Sequence, residues 1–201
     1  MPVSVAYTAG SAKKLVLENG TVFEGFGFGA DRDQIAELVF NTSPVGYQEI
    51  LSDPSYTDQF VVMAYPLIGN YGMNADDYET QTPTIGALIV HDYNDEPSNF
   101  RSEETLGAVM ERYDITGIYG MDTRKLNRSI RDYGSRKALL TDAEVPLEKC
   151  LEKLQEAKLP HDQVARVSCK EIKKYPAEKV YLRLAVYISM FPQLIAGPIV
   201  T

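Results

Sequence analysis

The chain has little of the chemistry that builds metal centres or covalent cross-links. It contains two cysteines, Cys150 and Cys169, and two histidines, His91 and His161, with no Cys-x-x-Cys motif. This supply is too small for a disulfide framework or a zinc cluster. We therefore expect a reduced, cytoplasmic location and no metal bound by this chain.

An excess of positive charge is also lacking. The 201 residues include 20 Lys and Arg against 28 Asp and Glu, a formal net charge of −8. This balance argues against a nucleic-acid partner and against an anionic membrane surface as the target of the whole chain. Residues 1–12 have no apolar core flanked by basic residues, so they are not a secretory signal. We interpret residues 1–13 as a polar N-terminal extension.

Polar side chains concentrate in residues 40–56, between two apolar runs of strand length. The pattern predicts a strand, a tight loop, one helical turn, a second loop begun by Asp53 and Pro54, and another strand. Loops on a rigid scaffold often carry binding groups, whereas the alternative is that these side chains only cap backbone groups. The hydroxyls and amides concerned are Asn41, Thr42, Ser43, Gln48, Ser52 and Ser55.

Asn19 and Gly20 predict a β-hairpin between residues 14 and 25. An Asn-Gly pair suits a two-residue type I′ turn, which would pair Leu17 with Val22 and Val16 with Phe23. Both faces then carry apolar pairs, so we expect the hairpin to be covered on both sides. The alternating Gly and Phe of residues 25–29 indicate a strand with close backbone approach rather than a phosphate-binding loop.

The second half of the chain alternates strands with helices. We expect strands at 115–119 and 136–140 and three helices: 102–113 capped by Ser102, a second from Asp122 to Gly134, and 146–158. Cys150 lies on the apolar stripe of the third helix and is expected in the core. Strands first and then this alternation predict an α/β sandwich with helices against one side.

The tail differs in composition. Residues 184–200 carry no charge and contain Pro192. This pattern fits a short, kinked membrane-spanning helix or, alternatively, a core helix over 181–190 followed by a loop.

Seven segments together resemble one family, the small, glutamine-handling subunit of carbamoyl-phosphate synthetase, in its N-terminal domain. The resemblance covers about residues 14–171, and it implies a layered β/β/α domain that docks on a large subunit and on a glutaminase domain. The segments are Leu-Val-Leu-Glu-Asn-Gly-Thr-Val-Phe (15–23), Phe-Asn-Thr-Ser (40–43), Gly-Tyr-Gln-Glu-Ile-Leu (46–51), Asp-Pro-Ser-Tyr (53–56), Tyr-Pro with Ile-Gly-Asn (65–70), Ser-Asn-Phe-Arg (98–101) and Asp-Thr-Arg-Lys-Leu (122–126).

The resemblance also implies roles. Ser55 is similar in position to a family serine that helps bind glutamine at the domain interface, Asp122 is expected as a helix cap, and Arg124 as an interface or salt-bridge residue. ATP and Mg²⁺ would lie on the large subunit, which makes carbamoyl phosphate from bicarbonate, ATP and the ammonia of glutamine for arginine and pyrimidine synthesis.

The family's nucleophile motif, Gly-x-Cys-x-Gly, has no counterpart around Cys150 or Cys169. We therefore expect no catalytic residue here and a chain that is catalytically incomplete, ending before its glutaminase domain. The alternative is a non-catalytic interaction scaffold whose tail contacts a membrane or a partner.

Residues 172–201 fall outside the resemblance to the synthetase. Within them, residues 187–200 resemble a short segment of the membrane-bound O-acyltransferase family and include none of its catalytic histidine region. We interpret the tail as a chimeric or truncated reading frame, with a real fusion as the alternative.

Overall fold

The computed structural model of the chain describes residues 10–80, 82–168 and 170. The chain divides into two compact units, Met1–Val167 and Ser168–Thr201, and the fold below is that of the first. The apolar tail, for which we gave two interpretations, lies outside the described residues. So do Cys169 and most of the expected N-terminal extension. Ala12 and Lys13, which we expected in that extension, belong to the first strand.

The described residues form nine strands, of which seven close into a barrel in the order β1-β2-β8-β6-β4-β3-β9, and the other two form a small parallel sheet, β5-β7. Within the barrel, β3, β4, β6 and β8 are mutually parallel neighbours. The strands are β1 Ala12–Leu17, β2 Val22–Gly29, β3 Gln34–Asn41, β4 Phe60–Met63, β5 Leu67–Ile68, β6 Ala87–Ile89, β7 Asp92–Tyr93, β8 Thr116–Tyr119 and β9 Arg136–Asp142. Because parallel strands end on the same side, the loops after these four strands meet at one end of the barrel.

The described residues also form five helices and one 3₁₀ turn, Pro54–Tyr56. The expected helix between Asp122 and Gly134 is confirmed, with Asp122 Oδ1 accepting from Lys125 N at 2.8 Å. The helix expected over 102–113 begins later, because Thr105 rather than Ser102 caps it. The helices are α1 Tyr47–Ser52, α2 Leu106–Arg112, α3 Thr123–Tyr133, α4 Leu147–Glu156 and α5 Gln163–Val167.

Alternating side chains separate the inside of the barrel from its outside. Leu15 and Leu17 point into a core that also receives Leu126 and Ile130 of α3, so α3 covers one end of the barrel. Val16, between the two leucines, packs outside against α4. Each of these three strand residues is buried, which confirms that the hairpin is covered on both sides.

The helices lie on several sides of the barrel and not on one. α2 packs against β2 and β8 and α4 against β9 and β1, whereas α3, at one end of the barrel, contacts β3 and β4. The mixed α/β composition agrees with the sequence prediction, whereas the single helical layer was wrong. Closure is the reason: a closed sheet has an outer surface all round, and each apolar stretch of that surface needs a cover.

The register of the hairpin differs from the predicted one by one residue. Leu15 pairs with Phe23 and Val16 with Val22, so three residues, 18–20, form the loop. Among the described residues, positive φ outside glycine occurs only at Asp58 and Asp114, so Asn19 lacks the conformation that a type I′ turn requires. Gly20, with φ of 84°, supplies the one left-handed residue.

Candidate functional site

Ser55 stands in the 3₁₀ turn that leads into β4. The turn is fixed locally, because Asp53 Oδ1 accepts from Ser55 N at 2.8 Å and Asp53 O accepts from Tyr56 N at 3.1 Å. Pro54 occupies the first position of the turn, where its missing N–H costs nothing. The Ser55 side chain is exposed, and within residues 10–80, 82–168 and 170 its hydroxyl makes no hydrogen bond.

A cleft of about 440 Å³ opens beside this serine, and we call it the Ser55 cleft. Its polar wall is ordered, since Glu37 accepts from Gln59 Nε2 at 2.9 Å and from Ser135 Oγ at 2.6 Å. The lining residues are Glu37, Ser55, Thr57, Asp58, Gln59, Leu159, Pro160, His161 and Gln163. The cleft therefore offers a carboxylate, amides and a free hydroxyl to a small polar ligand.

Other polar groups of residues 40–56 are engaged in the structure. Gln48 is buried, donating to Asn74 O at 2.5 Å and accepting from Asn74 N at 3.0 Å. Ser52 Oγ donates to Gln48 O and accepts from Glu79 N. Asn41 Oδ1 accepts from Ser43 N at 2.7 Å, and its Nδ2 donates to Tyr56 Oη at 3.0 Å. The capping interpretation is thus confirmed for Gln48, Ser52 and the Oδ1 of Asn41, whereas the Ser55 hydroxyl stays available to a ligand.

A second, larger cleft of about 760 Å³ lies at the other end of the parallel strands, against α3, and we call it the α3 cleft. Its walls come from the end of β3, from residues that follow β3, β4 and β6, and from α3 with its cap residue Asp122. The lining residues are Phe40, Thr42, Ala64, Pro66, His91, Asp122, Thr123, Arg124, Asn127, Arg128 and Arg131.

The α3 cleft is cationic. Arg124 and Arg128 are exposed and make no ion pair with any residue that the structure describes, and Arg131 pairs with its neighbour Asp132 at 2.9 Å. His91 donates from Nδ1 to Met121 O at 2.8 Å, which fixes its ring at the rim. Asp122, the one acidic residue among the described residues that line the cleft, is occupied in capping α3.

Sequence reasoning found only part of this cleft. It singled out Asp122 and Arg124, but not Arg128, Arg131 or His91. The spacing of the arginines at positions i, i+4 and i+7 of a helix was a usable signal. Phe40 lies near the end of β3, and Ala64 and His91 follow β4 and β6, so only the topology brings them together.

Cys150, the cysteine that the structure describes, belongs to the hydrophobic core. Cys150 is fully buried with Val16, Leu139 and Leu154 between α4 and the barrel. This confirms the core interpretation of that residue. Among the described residues, no helix is long and apolar enough to cross a membrane.

Comparison with known proteins identifies the family. Residues 15–140 match the model of the carbamoyl-phosphate synthase small chain, CPSase domain. Residues 187–200 lie beyond this match, and their resemblance to an O-acyltransferase gains no support from it.

Curated relatives extend the match. The carbamoyl phosphate synthase small chain of Oceanobacillus iheyensis is 51% identical over 156 residues, which are 78% of this chain and 43% of the relative. The pyrimidine-specific small chains of Halalkalibacterium halodurans and Bacillus subtilis are 50% and 49% identical over 79% of this chain, and 44% and 43% of their own length. The chain thus spans less than half the length of these relatives. Since the family model covers well over half of its residues, the chain belongs to the carbamoyl-phosphate synthase small chain family, through the CPSase domain.

Proposed function

We propose that this chain is the large-subunit-docking part of a glutamine-dependent carbamoyl-phosphate synthase of the cytoplasm. In this role it supports formation of carbamoyl phosphate from glutamine, bicarbonate and ATP for arginine or pyrimidine synthesis, with ATP and Mg²⁺ bound by the large subunit. Family membership carries the proposal, and two of its relatives are pyrimidine-specific small chains. The O-acyltransferase resemblance of residues 187–200 enters no step of it.

Ser55 is the residue that we propose binds glutamine. Its hydroxyl is exposed beside the Ser55 cleft, is held by a backbone-fixed turn and has no partner among the described residues. A hydroxyl can donate to the substrate carboxylate or accept from its amide or ammonium group without taking part in covalent chemistry. Residues that cleave the amide would come from a glutaminase domain, because the sequence holds no Gly-x-Cys-x-Gly motif.

The docking role is tested by mixing the chain with the large subunit of the Bacillus subtilis synthase. Complex formation is followed by sedimentation velocity, and carbamoyl phosphate is measured with ammonia and with glutamine as nitrogen source. We expect a complex that uses ammonia and does not use glutamine. Absence of a complex would refute the docking role, and glutamine-dependent synthesis would refute the assignment of cleavage to another domain.

The Ser55 assignment is tested in a fusion of residues 10–167 to the glutaminase half of the Bacillus subtilis relative. Ser55→Ala should raise the KM for glutamine about tenfold or more, since a hydrogen bond to a charged group is worth about 1.5–3 kcal/mol. Synthesis from ammonia should not change. Ser43→Ala is the matched control, because Ser43 is exposed in the same stretch and only its backbone N–H is bonded. An unchanged KM in Ser55→Ala would remove the serine from the glutamine site.

A further inference from the structure

The arginines of the α3 cleft form a continuous stripe. Arg124, Arg128 and Arg131 stand at i, i+4 and i+7 on one face of α3, so at 1.5 Å per residue the stripe is about 10 Å long. This length exceeds a single phosphate or carboxylate. It matches an extended occupant that carries several negative groups.

The stability of the helix does not explain the stripe. Like charges at i, i+4 destabilise a helix, and Arg124 and Arg128 have that spacing without an acidic partner among the described residues. The stripe also runs against the net charge of the chain, which is −8. A cationic face on an acidic protein attracts acidic surfaces locally, whereas the overall charge repels nucleic acids and anionic membranes.

The floor of the cleft is apolar. Phe40 keeps 36% of its surface exposed there, beside Ala64 and Pro66. An acidic polypeptide supplies both complements, namely carboxylates for the arginines and an apolar side chain for Phe40.

The position of the cleft leaves the proposed glutamine site free. The Ser55 cleft precedes β4, while the α3 cleft follows β3, β4 and β6, so the two open at opposite ends of the parallel strands. One end can therefore face a glutaminase domain while the other contacts a second polypeptide.

We propose that the α3 cleft binds an acidic segment of the synthase large subunit, with Arg124 and Arg128 as the pairing residues. This inference rests on the proposed function and assigns its docking surface. Association through the cleft is electrostatically steered, so it weakens as salt screens the arginines.

The test compares charge reversals by sedimentation velocity with the Bacillus subtilis large subunit at increasing NaCl. The double variant Arg124→Glu with Arg128→Glu should bind about tenfold more weakly or worse, which corresponds to about 1.4 kcal/mol. Its binding should also depend less on salt. The control Lys149→Glu with Lys158→Glu makes the same change in net charge on exposed residues at and after α4, and should bind within about twofold of the wild type.

Conservative variants guard against a folding defect. Arg124→Lys with Arg128→Lys should keep most of the affinity, and thermal unfolding should show that each double variant remains folded. If the reversed variant binds like the wild type, the cleft is not the docking surface, although the docking role stands. If the wild type binds no large subunit, both proposals fail. A dimer of the chain alone that only the arginine reversals abolish would assign the cleft to a second copy and overturn this inference.

Discussion

Lys13 links β1 to β9, the two strands whose pairing closes the barrel. It is 3% exposed, it pairs in register with Asp142 across the β1-β9 seam, and its Nζ donates to Asp142 at 2.6 Å and also to Asp31. Burial by itself would lower the pKa of Lys13, but the hydrogen bonds to Asp142 and Asp31 raise it above its ordinary value of 10.5. The ammonium is therefore held more tightly in the folded chain than in the unfolded one.

We expect Lys13→Met to lower the free energy of unfolding at pH 7 by about 1.5–3 kcal/mol, the range for hydrogen bonds to charged groups. Because the folded pKa lies above the unfolded one, this contribution is complete below pH 10.5 and is lost as the pH rises through the folded pKa. Urea unfolding at pH 7 and at rising alkaline pH measures the difference, which should shrink only in the alkaline range. Lys149→Met, on the exposed face of α4, is the control and should show no such difference. A gap that persists unchanged into strong alkali would mean that packing of the Lys13 stem, and not its charge, stabilises the seam.

At the scale of single elements, the hairpin shows that an Asn-Gly pair predicts the place of a turn but not the length of its loop. Asn19 and Gly20 marked the turn correctly, but Leu17 N donates to Thr21 O at 2.9 Å, which fixes a three-residue loop. The glycine supplies the left-handed residue in either loop type, so the sequence pair does not distinguish them.

Substitutions in the hairpin loop distinguish the three-residue loop from a type I′ turn. Gly20→Ala should cost about 1–2 kcal/mol from its backbone conformation alone, because an added Cβ would meet nothing within 4 Å. Asn19→Ala should cost about 0.5 kcal/mol, since it loses only the exposed bond from Thr21 N at 3.1 Å. Urea unfolding of both variants measures the difference. Equal, large costs at the two positions would indicate positive φ at both and hence the type I′ turn.

Local sequence signals predicted well which segments form helices, but they predicted the ends of those helices less well. Both ends of α3 were predictable, because Asp122 and Gly134 act through their immediate neighbours. The start of α2 was not, because residues 103 and 104 are held by Met73: Glu103 N donates to Met73 O, and Met73 N donates to Glu104 O. That bridge joins segments about 30 residues apart in the sequence, so Ser102 looked like a cap only in isolation.

In the two clefts, too, the sequence predicted the residues that local motifs carry and not those that strand pairing brings together. Ser55 and Arg124 were found because short motifs carry them, and the stripe through Arg128 and Arg131 could have been read from helical spacing. Phe40, Ala64 and His91 enter the α3 cleft only because β3, β4 and β6 are parallel neighbours. Pairings between distant strands leave no trace in local periodicity.

Barrel closure is the feature of the whole molecule that the order of elements did not reveal. The last strand, β9, inserts antiparallel between β1 and β3, so it is bonded on both edges. β1 is likewise paired on both edges, with β2 and β9. A strand near the start of the described chain is thus as deeply embedded as the central strands, with Leu15, Val16 and Leu17 buried.

Closure of the barrel predicts which strands unfold together. Amides of β1 should exchange with solvent only through global unfolding, so in native-state hydrogen exchange their free energy should fall with urea as steeply as that of β4. α5 has no buried residue and should exchange through local opening that urea barely affects. Exchange measured residue by residue at increasing urea below the unfolding midpoint makes this comparison, with α5 as the internal control. The Lys13→Met variant adds a second reading, because loosening the seam should lower the free energy of β1 and β4 together if the barrel unfolds as one body. A fall confined to β1 and β9 would show instead that the barrel opens first at the seam.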